Sequence, residues 1–157
     1  MRILLVSDSH GNNAALDELV KKYPKMDLYL HLGDFESDTH YYPVFRFVKG
    51  NCDYFSDALE RLIIPIPNGT IIAQHRPEIS KNILRENKCV IFLHGHTHRR
   101  RNEVIDNIHY INPGSISFSR DGNDLSYAII ELIDNDINVT FYSLSDNLYK
   151  TKTRSTD

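Results

Sequence analysis

Arg2-Ile3-Leu4-Leu5-Val6-Ser7-Asp8-Ser9-His10-Gly11-Asn12-Asn13 is the stretch whose reading decides the fold. Residues 2–7 read as a buried strand, because the apolar run is short and stops abruptly at polar Ser7-Asp8. After the Gly11-Asn12-Asn13 breaker, Ala15, Leu16, Leu19, Val20 and Tyr23 recur at helical spacing. Asn12 or Asn13 is the candidate cap of that helix, and Pro24 closes it. A second strand follows over 27–32 and runs into Gly33-Asp34; a third over 44–49 runs into Gly50-Asn51. A strand, a helix and a strand in this order call for a parallel sheet at the start of the chain.

The pattern then changes. Leu62-Ile63-Ile64 and Thr70-Ile71-Ile72-Ala73 flank a turn built from Pro65, Pro67 and Asn68-Gly69, which predicts a hairpin. A short helix is expected over 78–87, with Ile79, Ile83 and Leu84 on one face. Residues 89–93 form a five-residue apolar run ending at His94-Gly95-His96. Further strands are expected over 103–112, 125–133 and 137–144, with Asn135-Asp136 turning between the last two. The polar tail from Asp146 is expected to fray. Many strands and few helices imply two packed sheets rather than one doubly wound sheet.

The 157 residues suit one domain, 1–157, and neither a repeat nor a low-complexity linker divides it. Apolar residues make up 41% and charged residues 25%, as in a globular chain. The formal net charge of −3 gives no overall footprint for duplex nucleic acid. No run approaches the roughly 18 apolar residues of a transmembrane helix. The run 3–6 is too short for a signal-peptide core, and two cysteines make no disulfide framework, so a cytoplasmic location is expected.

Five short motifs carry the chemistry: Asp8-Ser9-His10, Gly33-Asp34, Gly50-Asn51-Cys52-Asp53, His75 and Gly95-His96-Thr97-His98. Together they offer two carboxylates (Asp8, Asp34), one amide (Asn51) and four imidazoles (His10, His75, His96, His98), enough for two transition-metal ions. Most stand at the ends of apolar runs. In extended chain, residues i and i+2 point the same way, so Asp8 and His10 could reach one ion, as could His96 and His98. Asp34 stands where a strand turns, where its two oxygens could bridge two ions. Mixed imidazole and carboxylate donors favour Mn, Fe, Zn or Ni over Mg or Ca.

The ordered set Asp-x-His, Gly-Asp, Gly-Asn, His, Gly-His-x-His resembles the calcineurin-like metallophosphoesterases. The stretches 6–11, 31–34, 50–53 and 112–115 resemble the small bacterial and archaeal phosphodiesterase branch, which includes the retromer subunit of eukaryotes. The resemblance spans roughly residues 2–145. It implies an α/β fold, a four-layer αββα sandwich of two mixed sheets flanked by helices, with the site at the strand ends. It also implies that Asp8, His10 and His98 hold one ion, that Asn51, His75 and His96 hold the other, and that Asp34 bridges. Asp34, Asn51 and His96 then count as catalytic as well as metal-binding. Two divalent ions are implied, with manganese the usual assay metal. The expected reaction is attack of a metal-activated hydroxide on a small phosphodiester. An open site without a lid is expected; a homo-oligomer is left open. A scaffold on the same fold is the alternative class, as in the retromer subunit, but the intact ligand set favours catalysis. A nuclease reading lacks the extra domains that such enzymes carry.

Two positions depart from the wider pattern. Cys52 stands where many members carry a histidine that protonates the leaving oxygen, and it reads as a buried filler. Arg76 follows His75 where glycine is common; its readings are crowding of the second metal or contact with substrate phosphate. His94 and His31 read as packing or ligand-orienting histidines, and His40 and His109 as ordinary ones. Arg99-Arg100-Arg101 reads as a solvated basic edge, Tyr41, Tyr42 and Phe45 as packing, and Gly114-Ser115 as a structural loop near the site.

Overall fold

The structure, a computed structural model, describes residues 1–144 and 152–154. The first half holds β1 (Arg2–Val6), α1 (Asn13–Lys22), β2 (Leu28–His31), β3 (Arg46–Phe47), β4 (Arg61–Ile66) and β5 (Gly69–Gln74). The second holds α2 (Lys81–Glu86), β6 (Cys89–Leu93), β7 (Arg100–Ile105), β8 (Ile108–Pro113), β9 (Ser126–Ile133), β10 (Asp136–Ser143) and β11 (Lys152–Arg154). One sheet has six strands in the order β11-β10-β9-β1-β2-β3, the other five in the order β4-β5-β6-β8-β7. Each mixes parallel and antiparallel pairs: β1 runs parallel to β2 and antiparallel to β9, and β6 runs parallel to β5 and β8.

The apolar run that opens the chain explains the layering. Ile3 and Leu5 turn to one face of β1, Leu4 and Val6 to the other, and all four are buried. Ile3 and Leu5 enter the inter-sheet core with Leu30, Ile71, Leu93 and Ala128. Leu4 and Val6 meet Leu16 and Leu19 of α1 on the opposite side. On the far sheet, Ile72 and Phe92 turn outward onto Leu84 of α2. Four layers result, α1, sheet, sheet and α2, each sheet buried on both faces. Burying one such Leu or Ile is worth about 1.5–3 kcal/mol, which commits these runs to the interior.

Several boundaries differ from the sequence expectation. The run expected as one strand over 103–112 is a hairpin, β7 turning into β8 at Asp106-Asn107, both with left-handed backbone. The turn expected at Asn135-Asp136 lies one residue earlier, because Ile133 pairs directly with Asp136 and Asp134 takes the positive φ. The third strand is reduced to Arg46–Phe47. Pro65 lies inside β4, tolerated because β4 is an edge strand paired only with β5. Asn12 is the N-cap of α1, but its side chain makes no cap bond and donates instead to the Ile116 carbonyl. Of the tail, Lys152–Arg154 pairs with β10; the rest of the expected fraying segment lies outside the described residues. Among the described residues, no helix is long and apolar enough to cross a membrane.

Candidate metal centre

The loops that follow β1 and β2 are zipped together by backbone bonds, Asp8 N–H to Gly33 O, His10 N–H to Asp34 O and Gly11 N–H to Phe35 O. The loop after β6 is tied in by Gly95 N–H to the His75 carbonyl and by His96 N–H to Asp8 Oδ2. This is one edge of the sandwich, where parallel strands end.

Asp8, His10, Asp34, His96 and His98 all have positive φ, between 43° and 71°. The side chains are therefore not aimed by the extended i, i+2 alternation expected from the sequence. Left-handed turns aim them, at a cost of order 1 kcal/mol or more for each non-glycine residue. Two glycines make the close approach possible. A Cβ on Gly50 would stand 2.3 Å from the Asp34 backbone N, and one on Gly95 would stand 2.0 Å from Ser7 Oγ. The Gly-Asn and Gly-His pairs are thus packing requirements.

The seven expected ligands fall into two adjoining groups, with His75 Nε2 of the second also 3.9 Å from Asp8 Oδ1 of the first. In one, Asp8 Oδ1 lies 3.3 Å from His98 Nε2 and 3.9 Å from His10 Nε2. In the other, His96 Nδ1 lies 3.2 Å from His75 Nε2 and 3.1 Å from Asn51 Oδ1. Asp34 Oδ2 stands between them, 3.2 Å from His75 Nε2 and 3.8 Å from His10 Nε2. The other Asp34 oxygen is engaged, accepting the Cys52 N–H at 2.8 Å. A bridge through Asp34 would therefore use one oxygen, not the two expected from the sequence.

These contacts fit metal ions. His98 Nδ1 donates to the Phe118 carbonyl at 2.5 Å, and His75 Nδ1 to the Leu32 carbonyl at 2.7 Å. With those protons placed, each neutral ring turns an Nε2 lone pair toward a carboxylate oxygen. Two acceptors so close repel unless a cation lies between them. Asp8 Oδ1 is moreover buried without any hydrogen-bond partner. Ligands about 2.1 Å from an ion stand about 3.0–3.4 Å apart at right or tetrahedral angles; the four contacts of 3.1–3.3 Å match that spacing, and the two to His10, at 3.8 and 3.9 Å, are wider.

Electrostatics follow from the same packing. Burial works against the Asp34 charge, but the close approach of the His75 ring, the Cys52 N–H and the charges of His75 and His10 outweigh it and hold the carboxyl at about 2. Burial likewise opposes charge on Asp8, yet His98, His75 and Ser7 bring it below the usual carboxylate value. The Asp8 carboxylate, 3.3 Å from Nε2, raises His98 above the ordinary imidazole value, and for His75 burial works downward but is outweighed by Asp34 and Asp8, which raise it. Protons would therefore compete with a metal at those two rings, more strongly as pH falls. Mn affinity of the full chain, measured by calorimetry, is expected to drop about tenfold or more from pH 7 to pH 6. An affinity unchanged over that interval would contradict the ligand assignment.

The remaining candidates take definite places. His31 is buried and neutral, pushed down to about 3 chiefly by burial. Gly33 N–H donates to its Nδ1, so its proton sits on Nε2 and is given to Ser9 Oγ at 2.8 Å. His94 is buried, lowered to about 4 chiefly by burial, and accepts at Nε2 from Arg101. Arg101 also lies over the Tyr110 ring, and Arg100 packs near Phe141. Of the expected solvated basic edge, Arg99 is exposed, while Arg100 and Arg101 are half-buried. Tyr42 and Phe45 pack as expected, but Tyr41 is exposed. Arg76 is exposed, with Nη1 3.4 Å from His96 Nε2, on the side of the ring away from the cluster. It does not crowd the ligand atoms. Cys52 is half-buried on the wall of a cleft of about 700 Å3, not a buried filler. Burial, Asp34 and Glu36 push its thiol up to about 11, so it is neutral near pH 7.

The sequence reading passed over two groups that shape the site. Glu36 Oε1 accepts from His10 Nδ1 at 2.5 Å, which leaves Nε2 facing the cluster. Asp53, buried, accepts four backbone N–H bonds: from Asp34 (2.7 Å), Phe35 (3.0 Å), Glu36 (3.0 Å) and Gly50 (2.8 Å). It fastens the loop of Asp34 to the loop of Asn51. Its position three residues after Gly50 was the available signal. Ser115 and Ser117 hydroxyls both donate to the Asp8 carbonyl, which gives Gly114-Ser115 its structural part.

Comparison with known proteins agrees with this architecture. The family model described as the calcineurin-like phosphoesterase superfamily domain matches residues 1–135. The protein described as "Probable metallophosphoesterase YsnB" of Bacillus subtilis (strain 168) is 32% identical over 94% of each chain. The crystal structure of a conserved protein of Streptococcus pneumoniae TIGR4 superposes with a TM-score of 0.83, at 29% identity, covering 98% of this chain and 97% of that one. An archaeal phosphodiesterase shares the fold with a TM-score of 0.67, at 18% identity, covering 90% of this chain and 99% of its own.

Proposed function

The chain belongs to the calcineurin-like phosphoesterase superfamily, and from that membership we propose that it is a phosphodiesterase working with two divalent transition-metal ions. The membership itself carries the coarser statement that it is a metal-dependent phosphoesterase. One observation supports the finer reading above all: seven donor side chains converge on two adjacent groups that share Asp34 Oδ2. Two such ions, when bound, would polarise the phosphoryl oxygens and supply a hydroxide nucleophile near neutral pH.

The chain's own residues do the rest. Asp8, His10, His98 and Asp34 form one socket; Asn51, His75, His96 and Asp34 form the other. The Nδ1 bonds of His10, His75 and His98 fix which nitrogen faces inward. Hydrolysis joins water oxygen to phosphorus and breaks one P–O ester bond. One water proton passes to the leaving alcohol and the other to solvent. Cys52 is a poor donor for that proton, so esters of acidic alcohols should react fastest. Mn is the metal to try first, with Fe, Ni and Zn as alternatives. The substrate class is small phosphodiesters, and the cellular location that fits two free thiols is the cytoplasm.

Arg76 lines the cleft that also holds Asn51 and His75, where it can reach a phosphoryl oxygen. Arg76→Ala is expected to raise KM for a diester about tenfold and to change kcat about threefold at most. A KM matching that of an unrelated surface substitution would remove Arg76 from the site. The functional reading is tested by hydrolysis of an aryl phosphodiester beside the matching monoester, with Mn, Ni, Zn, Mg or chelator. Metal-dependent turnover favouring the diester is expected. No turnover by folded protein with any metal would contradict it.

A further inference from the structure

We propose that Asp121 is a positioning residue for His98: it ties the chain just after His98 to the loop that grips the ring, and so aims His98 Nε2 at Asp8. The inference rests on the reading above only in taking His98 as a ligand.

Three rungs join residues 98–100 to residues 118–121. His98 Nδ1 donates to the Phe118 carbonyl at 2.5 Å. Arg120 N–H returns a bond to the His98 carbonyl at 3.0 Å. Arg100 N–H donates to Asp121 Oδ2 at 2.7 Å. β7 is an edge strand, and Asp121 supplies the acceptor on its open side. The other carboxylate oxygen shapes its own loop. Asp121 Oδ1 accepts the Ser119 hydroxyl at 2.9 Å and the Asn123 N–H at 3.0 Å, an Asx turn that reverses the chain at Gly122, whose φ is 80°. One oxygen thus fixes the shape of the loop, and the other fixes its distance from β7.

His98 needs such a hold. It is buried, and its backbone is left-handed at a φ of 58°, a conformation that the surrounding structure must impose. Phe118 acts on its ring and Arg120 on its carbonyl, so a shift of the loop turns both. The same loop reaches Asp8, whose carbonyl accepts the Ser115 and Ser117 hydroxyls. Among the described residues, 115–121 form no hydrogen bond with Asn51, His75 or His96. Loosening the loop therefore disturbs the group of Asp8 and His98 and spares the other. That asymmetry separates positioning from general support of the fold.

The test uses the full chain with 15N-labelled histidine, first without metal and then in Zn buffered by a chelator. In the parent, the neutral rings of His98 and His75 should both carry their proton on Nδ1, seen in side-chain 1H–15N correlations. Asp121→Ala removes all three bonds to the carboxylate. It should cost His98 its exclusive Nδ1–H form and leave that of His75 intact. Zn affinity followed at His98 Nε2 should fall about tenfold, and at His75 Nε2 by no more than about threefold. Asp121→Asn can keep the Arg100 bond through its one oxygen. Its fall at His98 should be about threefold, and it carries the same comparison if the alanine variant does not fold. A parental ring state and Zn affinity at His98 in these variants would overturn the inference. So would equal losses at His98 and His75, which would mark a loosened fold. Neither result touches the phosphodiesterase reading, which the ester assay tests separately. Zn that never shifts His98 Nε2 in the parent would overturn both.

Discussion

Asp34→Asn is expected to lower kcat/KM for an aryl phosphodiester about 1000-fold while leaving the fold in place. Asp34 Oδ2 is the oxygen common to the two ligand groups, 3.2 Å from His75 Nε2 and 3.8 Å from His10 Nε2. An amide there removes the shared negative charge and turns an N–H toward both rings. The metal-free protein accepts this readily. The amide oxygen can keep the Cys52 N–H bond, and the amide nitrogen can donate to a neutral imidazole. Metal-free Tm should therefore stay within about 2 °C of the parent, while the rise in Tm on adding Mn is largely lost. If activity and the Mn-induced shift both survive, Asp34 does not join the two groups.

Asp53→Asn is expected to act differently, through the frame. The substitution is nearly isosteric, but one acceptor oxygen becomes an NH2 group aimed at two backbone N–H donors. If Nδ2 takes the place of Oδ2, those donors belong to Asp34 and Gly50; if it takes the place of Oδ1, they belong to Phe35 and Glu36. Either way two buried donors lose a charged partner, at a cost of about 3 kcal/mol. For a chain of this size that is roughly 6–12 °C in Tm. The effect should also reach the site, because Asp53 fixes the spacing of the Asp34 and Asn51 loops. Affinity for the second Mn equivalent should fall about tenfold or more, by analogy with partners that orient metal ligands. Differential scanning calorimetry and a metal titration on the same sample separate the two effects. Stability and second-site affinity both equal to the parent would show that Asp53 is not a clamp.

The two expectations show what kind of information the sequence held. The candidate ligands stood out because metal chemistry admits few residue types and because Gly33-Asp34, Gly50-Asn51 and Gly95-His96 follow apolar strands. The opening strand, helix and strand were legible because Ile3 to Val6 is apolar on both faces. What was not legible lies mostly in backbone geometry. Extended alternation suggested how Asp8 and His10 share an ion, yet both residues are left-handed, and only the tertiary zipper of loops holds them so. The β7–β8 hairpin was missed because its turn, Asp106-Asn107, contains neither Gly nor Pro. The orienting roles of Glu36 and of Asp53, which closes the Gly50-Asn51-Cys52-Asp53 motif, were unread for another reason. A carboxylate bonded to backbone N–H or to a ligand imidazole looks in sequence like any surface acid. Cys52 was misread as filler because frequency of burial says nothing about which wall of a cleft a residue occupies.

The central claim is that two ions lie side by side between these loops with Asp34 shared. Anomalous diffraction from crystals of the full chain grown with Mn tests it directly. Two peaks about 3.5–4 Å apart are predicted, one bordered by Asp8, His10 and His98, the other by Asn51, His75 and His96, with Asp34 touching both. A single peak, or peaks away from Asp34, would contradict it.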